Sequence, residues 1–137
     1  METNTLNRKK IDADVVRSGY EAFNSGDIAA LNEIFHDDAS WHTPGKSSIG
    51  GNRKGKQSVF TQFGRYGGET NGTFKAVLKT VAICDDGRIV GIHHNTGERN
   101  GKKLDVDCCI VFEVKDDQII SGKEFFFDLN VWDEFWS

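Results

Sequence analysis

Proline is nearly missing from this 137-residue chain, and its single copy, Pro44, stands next to Gly45 at the end of the phrase "SWHTPG". A Pro-Gly pair there needs no role beyond stopping a strand. Cysteine is also scarce: three residues, two of them the neighbours Cys108 and Cys109, make no disulfide framework. No stretch approaches the roughly 18–20 apolar residues that a membrane helix requires. The opening "METNTLNRKK" lacks the apolar core of a secretory signal, so the expected compartment is cytoplasmic. Basic clusters are short ("RKK" at 8–10, "NRKGK" at 52–56) and the net charge is -4, which argues against a nucleic-acid partner. At this length the expectation is one domain, residues 12–137, preceded by a polar, frayed segment, 1–11.

What the chain does have is a clear change of period. From Asp12 the apolar residues Val15, Val16, Tyr20 and Phe23 follow helical spacing. "NSGD" (24–27) ends that helix, and Asp27 can cap a second one carrying Ile28, Leu31, Ile34 and Phe35. "DDASWH" reads as a short strand, stopped by Pro44 and a Gly/Ser-rich stretch. A third helix follows in "KQSVFTQFGRYGG", with Val59, Phe60 and Phe63 as its buried stripe. After Thr73 the pattern alternates as strands do, with hairpin signals at Asp85-Asp86-Gly87 and, more strongly, Asn100-Gly101. In "LDVDCCIVFEVKDD", Leu104, Val106, Cys108, Ile110, Phe112 and Val114 share one face, and Asp105, Asp107, Cys109 and Glu113 the other. "QIISGKEFFFDLNVWDEFWS" completes the sheet. The fold class is therefore α+β: three N-terminal helices packed on a strongly curved antiparallel sheet, forming a cone with an internal pocket.

Three phrases, "YEAFNSGDIAALNEIFHDDASWHTPG", "HHNTGERNGKKLDV" and "EFFFDLNVWDEF", resemble the nuclear transport factor 2-like superfamily and, within it, the SnoaL-like (polyketide cyclase-like) proteins. The resemblance runs from about Asp12 to the C-terminus. It implies a curved sheet around a deep pocket and a homodimer. It implies no single chemistry, because the same cone serves isomerases, cyclases, dehydratases, an epoxide hydrolase and proteins without catalysis.

The ketosteroid isomerases of that superfamily place an Asp base before the first-strand proline and build an oxyanion hole from a helix Tyr and a protonated Asp. Aligned here, the base position falls on Thr43, which takes no proton near neutral pH. The Tyr position falls on Gly19, one residue from Tyr20, and the oxyanion Asp near Cys108 or on Asp107. That machinery is incomplete in this chain. SnoaL-like cyclases instead carry an acid/base Asp on the last strand, in a phrase like "EFFFD", which maps to Asp128. Glu124, Phe126 and Asp128 alternate onto one strand face, where desolvation would raise a carboxyl pKa toward the useful range.

Each candidate also has a plainer reading. Asp128 is the expected base, or else caps the turn before "LNVW". Trp41 shares a strand face with Thr43 and is either a pocket wall or core. His93 and His94 are adjacent, so only one faces the pocket; both faces are apolar before them, and His93 is favoured. His93 or Glu124 is the expected proton partner of Asp128, and Glu124 otherwise pairs with a nearby Arg or Lys. Tyr20, Phe63, Phe126 and Cys108 complete the candidate walls, Cys108 as core. Diverging neighbours such as His93-His94 and Cys108-Cys109 chelate poorly, so neither metal nor cofactor is expected. Trp132, Phe135 and Trp136 are expected to plug the open end of the cone or pack across the dimer. The readings are a cofactor-free acid/base enzyme (isomerase, cyclase or dehydratase type) on a small apolar carbonyl compound, a non-catalytic binder of a small apolar molecule, or an association module.

Overall fold

Asn100 and Gly101 both adopt positive φ, 51° and 77°, the left-handed pair that a two-residue hairpin turn demands. They join β4 (Ile89–Arg99) to β5 (Lys102–Lys115). Asp116 and Asp117, at φ 53° and 65°, turn β5 into β6 (Gln118–Phe126), and Asp85-Asp86-Gly87 separates β3 (Lys75–Ile83) from β4. The computed structural model describes residues 2–137, with side chains from residue 6 onward. Helix α1 (Glu2–Ser25) begins ten residues before the Asp12 expected from the apolar spacing, and Arg8 on this extension pairs with Asp117. It is followed by α2 (Ile28–Ile34), β1 (Phe35–Thr43), β2 (Gly51–Lys54) and α3 (Lys56–Gly68). Asp27 caps α2, its Oδ1 accepting from Ala30 N at 3.0 Å, as the "SGD" phrase predicts.

Two expectations are corrected. Residues 129–136 do not finish the sheet but form a fourth helix, α4 (Leu129–Trp136). Spacing explains it: Trp132, Phe135 and Trp136 are buried at i, i+3 and i+4, a helical stripe. The sheet is also not wholly antiparallel. Its order is β2-β1-β6-β5-β4-β3, and β1 pairs with β6 in parallel, because the chain crosses from one edge region to the other through α3 before the hairpins begin.

Alternation along the central strands is strict. On β4 the buried positions are Ile89, Gly91, His93, Asn95 and Gly97; on β5 they are Leu104, Val106, Cys108, Ile110 and Phe112. These line the inner face, against which α1 and α3 pack. Register shifts in β1, β3 and β6 are bulges, which bend a strand and increase its twist, giving a curved, unclosed sheet. Asn24 fastens α1 to the edge strand β3: its amide donates to Ala76 O (2.8 Å) and accepts from Ala76 N (3.0 Å). A second buried cluster sits at the α4 end, where Trp132 and Trp136 pack on Tyr66 and Phe74. Among the described residues, no helix is long and apolar enough to cross a membrane.

Candidate functional site

Glu124 points inward from β6 and is only 3% exposed. Two residues of β1 on the same inner face reach it: Trp41 donates from Nε1 at 3.0 Å and Thr43 from its hydroxyl at 2.6 Å. Tyr66, on the buried stripe of α3, donates at 2.6 Å. All three donors converge on Oε1. Gln62, one turn earlier on the same stripe, supports them: its Nε2 donates to Ile49 O (2.8 Å) and lies 3.1 Å from the Thr43 oxygen. Among the described residues none donates to the second oxygen, Oε2, and no cation pairs with the carboxyl. Burial therefore dominates and pushes the Glu124 pKa above the ordinary carboxylate range, against the downward pull of the three hydrogen bonds. The same burial, with Glu124 beside it, pushes the Tyr66 phenol up.

A second polar group stands on β4. His93, 2% exposed, has Tyr20 Oη 2.7 Å from Nδ1 and Asn95 Oδ1 3.0 Å from Nε2. Asn95 donates its amide hydrogen to Lys75 O at 3.1 Å, which leaves its Oδ1 as the acceptor for His93. Nε2 therefore carries the imidazole proton, Nδ1 accepts, and the Tyr20 hydroxyl donates. Burial lowers the His93 pKa to about 4, so the ring is neutral near neutral pH. Burial also raises Tyr20 far above an ordinary phenol.

Two glycines make these placements possible. A Cβ on Gly122 would lie 2.2 Å from the Trp41 ring, and one on Gly91 would lie 2.8 Å from the Tyr20 hydroxyl. Each aromatic ring is laid on the sheet where a side chain is missing.

Between the two polar groups lies a cavity of about 50 Å³ whose other walls include Val16, Phe23, Phe35, Phe63 and Phe112. Pockets for drug-sized ligands run to about 300–1,000 Å³, so an occupant must be slim or displace side chains. Glu124, Tyr20, His93, Asn95 and Tyr66 are its polar residues, together with the indole of Trp41.

Of the residues singled out in the sequence, the structure brings Trp41, Tyr20, Phe63, His93 and Glu124 to this cavity, with Thr43 directly behind Glu124. Cys108 is fully buried in the adjoining core. Phe126 is turned toward α4 and stacks on Trp132 at 3.8 Å. Asp128 is in neither place. It is exposed at the N-cap of α4, its Oδ1 accepting from Val131 N at 3.2 Å. The strand parity that joined it to Glu124 ends at Phe126, where β6 stops, so the plainer capping reading describes its position. His42 faces outward and contacts Asn52, and His94 lies on the outer face between Asp105 and Asp107.

Gln62, Tyr66 and Asn95 were not singled out. A signal for two of them existed: Val59, Gln62 and Tyr66 follow i, i+3, i+7 spacing, which puts two polar groups on the buried stripe of α3. Asn95 shares the parity of His93 but becomes identifiable only once the face of His93 is known. Among the described residues, no three His, Cys, Asp or Glu side chains converge as metal ligands would.

A family profile described as the SnoaL-like domain matches residues 16–122. A protein of Mycobacterium tuberculosis is 30% identical over 126 residues, covering 92% of this chain and 96% of its own length. Among solved structures, Bal32a from a soil-derived mobile gene cassette shares 60% identity with a TM-score of 0.93, over 95% of this chain and 99% of that one. A protein described as a candidate polyketide cyclase from Xanthomonas campestris pv. campestris superposes with a TM-score of 0.74 at 21% identity, over 95% and 99% of the two chains, a likeness of fold alone. The helices on a curved sheet are of the nuclear transport factor 2-like kind, and the chain belongs to the SnoaL-like family.

Proposed function

We propose that this protein is a cofactor-free acid/base enzyme of the cyclase or isomerase type, acting on a small, largely apolar carbonyl compound held in the cavity between Glu124 and His93. The observation that carries this reading is the carboxyl of Glu124: buried among aromatic rings, without a cation, held by three donors on one oxygen, with the other oxygen unengaged. A base works best when its pKa lies near the working pH, and burial moves Glu124 in that direction. In its ionised form Glu124 removes the hydrogen next to the substrate carbonyl. The carboxylic acid so formed donates to the enolate oxygen and returns the proton to oxygen or carbon. Trp41, Thr43 and Tyr66 hold the carboxylate in place between the two steps. Structural neighbours described as candidate polyketide cyclases are in keeping with this reaction type.

The test does not require the physiological substrate. Benzylacetone in heavy water exchanges the hydrogens beside its carbonyl slowly, and proton NMR follows the exchange. The protein is expected to accelerate it, and Glu124→Gln, which keeps an oxygen for the three donors but carries no exchangeable acid, is expected to remove about 10²–10⁴-fold of that acceleration. Equal exchange by the variant and the parent protein would refute the role of Glu124. The apolar lining also suits a binder without turnover; saturable ketone binding with no accelerated exchange would establish that reading instead.

A further inference from the structure

We infer that the occupant of the cavity carries two polar ends of opposite hydrogen-bonding sense, a hydroxyl that donates to the Tyr20 oxygen and a carbonyl that accepts from the Glu124 carboxyl; this rests on the cavity being a ligand site, as proposed above. The asymmetry comes from a backbone carbonyl, which can only accept. Lys75 O takes the amide hydrogen of Asn95, Asn95 Oδ1 therefore takes the Nε2 hydrogen of His93, and His93 Nδ1 takes the hydrogen of Tyr20. With its only proton committed, the Tyr20 oxygen meets a ligand as an acceptor, and the ligand must supply the hydrogen. At the other end the three protein donors already occupy Oε1 of Glu124. Among the described residues no donor reaches Oε2, and burial with no cation beside the carboxyl raises its pKa; in the protonated state, the one that returns the proton in the reaction above, Oε2 presents a hydrogen to a ligand acceptor.

The register fixes the span. Gly91, Ile110 and Glu124 are neighbours across β4, β5 and β6, and the Tyr20 hydroxyl lies over Gly91. The two polar ends are thus two strands apart, about 10 Å at the backbone, with apolar wall between them. A slim aromatic or alicyclic hydroxyketone, oxygen at each end, matches this distance and the narrow bore. A ligand with an ether or a second ketone at the Tyr20 end would set two acceptors against each other, at a cost comparable to a lost hydrogen bond.

Three probes of one shape test the assignment: para-hydroxybenzylacetone, its methyl ether, and unsubstituted benzylacetone, titrated calorimetrically against the full chain. The hydroxyl compound is expected to bind about tenfold more tightly than the ether, the size of one hydrogen bond. Tyr20→Phe should abolish that preference, so that hydroxyl and ether bind alike, and Glu124→Ala, which removes the donor at the ketone end, should weaken all three. Equal affinity for hydroxyl and ether in the parent protein overturns the inference and leaves the ligand site standing. Failure of all three to bind overturns the ligand site itself. A measurement without any variant stands beside these: long-range nitrogen-15 NMR on the histidine rings should show His93 protonated at Nε2 and bare at Nδ1. The opposite tautomer would reverse the chain of donors and refute the assignment.

Discussion

His93 and His94 are consecutive residues on one strand, yet the sheet gives them opposite environments. His93 faces inward, 2% exposed, between two neutral partners, Tyr20 and Asn95. His94 faces outward, with Asp107 2.6 Å from Nδ1 and Asp105 2.5 Å from Nε2. The inner ring is therefore driven neutral by burial, and the outer ring has its pKa raised by hydrogen bonds to Asp107 and then to Asp105. The same division runs through β6: Glu124 is buried and Phe125 is half exposed. Inside this sheet polar groups are few and serve one another; outside they pair as ions in water, where such pairs are worth about 0–1 kcal/mol. Chemistry is therefore sought on the inner face, even though more charge lies on the outer one.

The largest expected difference between the faces is catalytic. Glu124→Gln should cost about 10²–10⁴-fold in ketone exchange, whereas Asp107→Asn, which strips the outer face of a carboxylate beside His94, should leave exchange within about twofold. A comparable loss from the outer substitution would show that the charge of the whole sheet, not the buried carboxyl, drives the reaction.

Next in size is a pair of neighbours on β6. Gly122→Ala puts a methyl group 2.2 Å from the Trp41 ring, and the ring must move, taking Nε1 away from Glu124. Overpacking of this kind costs about 1–3 kcal/mol. Ser121→Ala, on the outer side of the same strand, should stay within about 0.5 kcal/mol. Urea denaturation measures both. Equal stabilities would mean that Trp41 has room to relax and that Gly122 is not what seats it.

Much of this division could be read from the sequence. The hairpins at Asn100-Gly101 and Asp85-Asp86-Gly87 announce themselves through residues that accept left-handed φ, and the alternation of β5 identifies its buried stripe outright. Parity puts Glu124 on one face with Phe126, but it does not choose between His93 and His94, because both faces of the strand are apolar before the pair. Where the reading failed, parity had been carried past the end of a strand: Asp128 keeps phase with Glu124 only if β6 continues, and α4 begins there instead. A helical stripe of Trp132, Phe135 and Trp136 announces that helix. The parallel pairing of β1 with β6 left no local mark, because it joins segments some eighty residues apart. The Glu124 donors are legible in part: Trp41 and Thr43 share one strand face, but Tyr66 and Gln62 enter from a helix, and no spacing along the chain says which strand residue a helix will face.

The smallest effect separates the two histidines by titration and gives the comparison its sharpest form. Proton NMR of the ring hydrogens should place the His93 midpoint at about 4 and that of His94 above the ordinary value of 6.5. The two act on stability with opposite sign. His93 has a folded pKa below its unfolded one, so the native state binds fewer protons, and stability falls as the pH drops from 6.5 toward about 4. His94 has a raised folded pKa, so its contribution is complete below the unfolded value and disappears as the pH rises through the folded one. Salt tells them apart. The two aspartates beside His94 are exposed enough to be screened, so raising ionic strength from about 0.01 M to 1 M, which shortens the screening length roughly tenfold, should move its midpoint down. The His93 midpoint rests on burial and should stay where it is. If both midpoints moved together, the inner ring would be feeling the outer aspartates, and the sheet would not insulate its two faces.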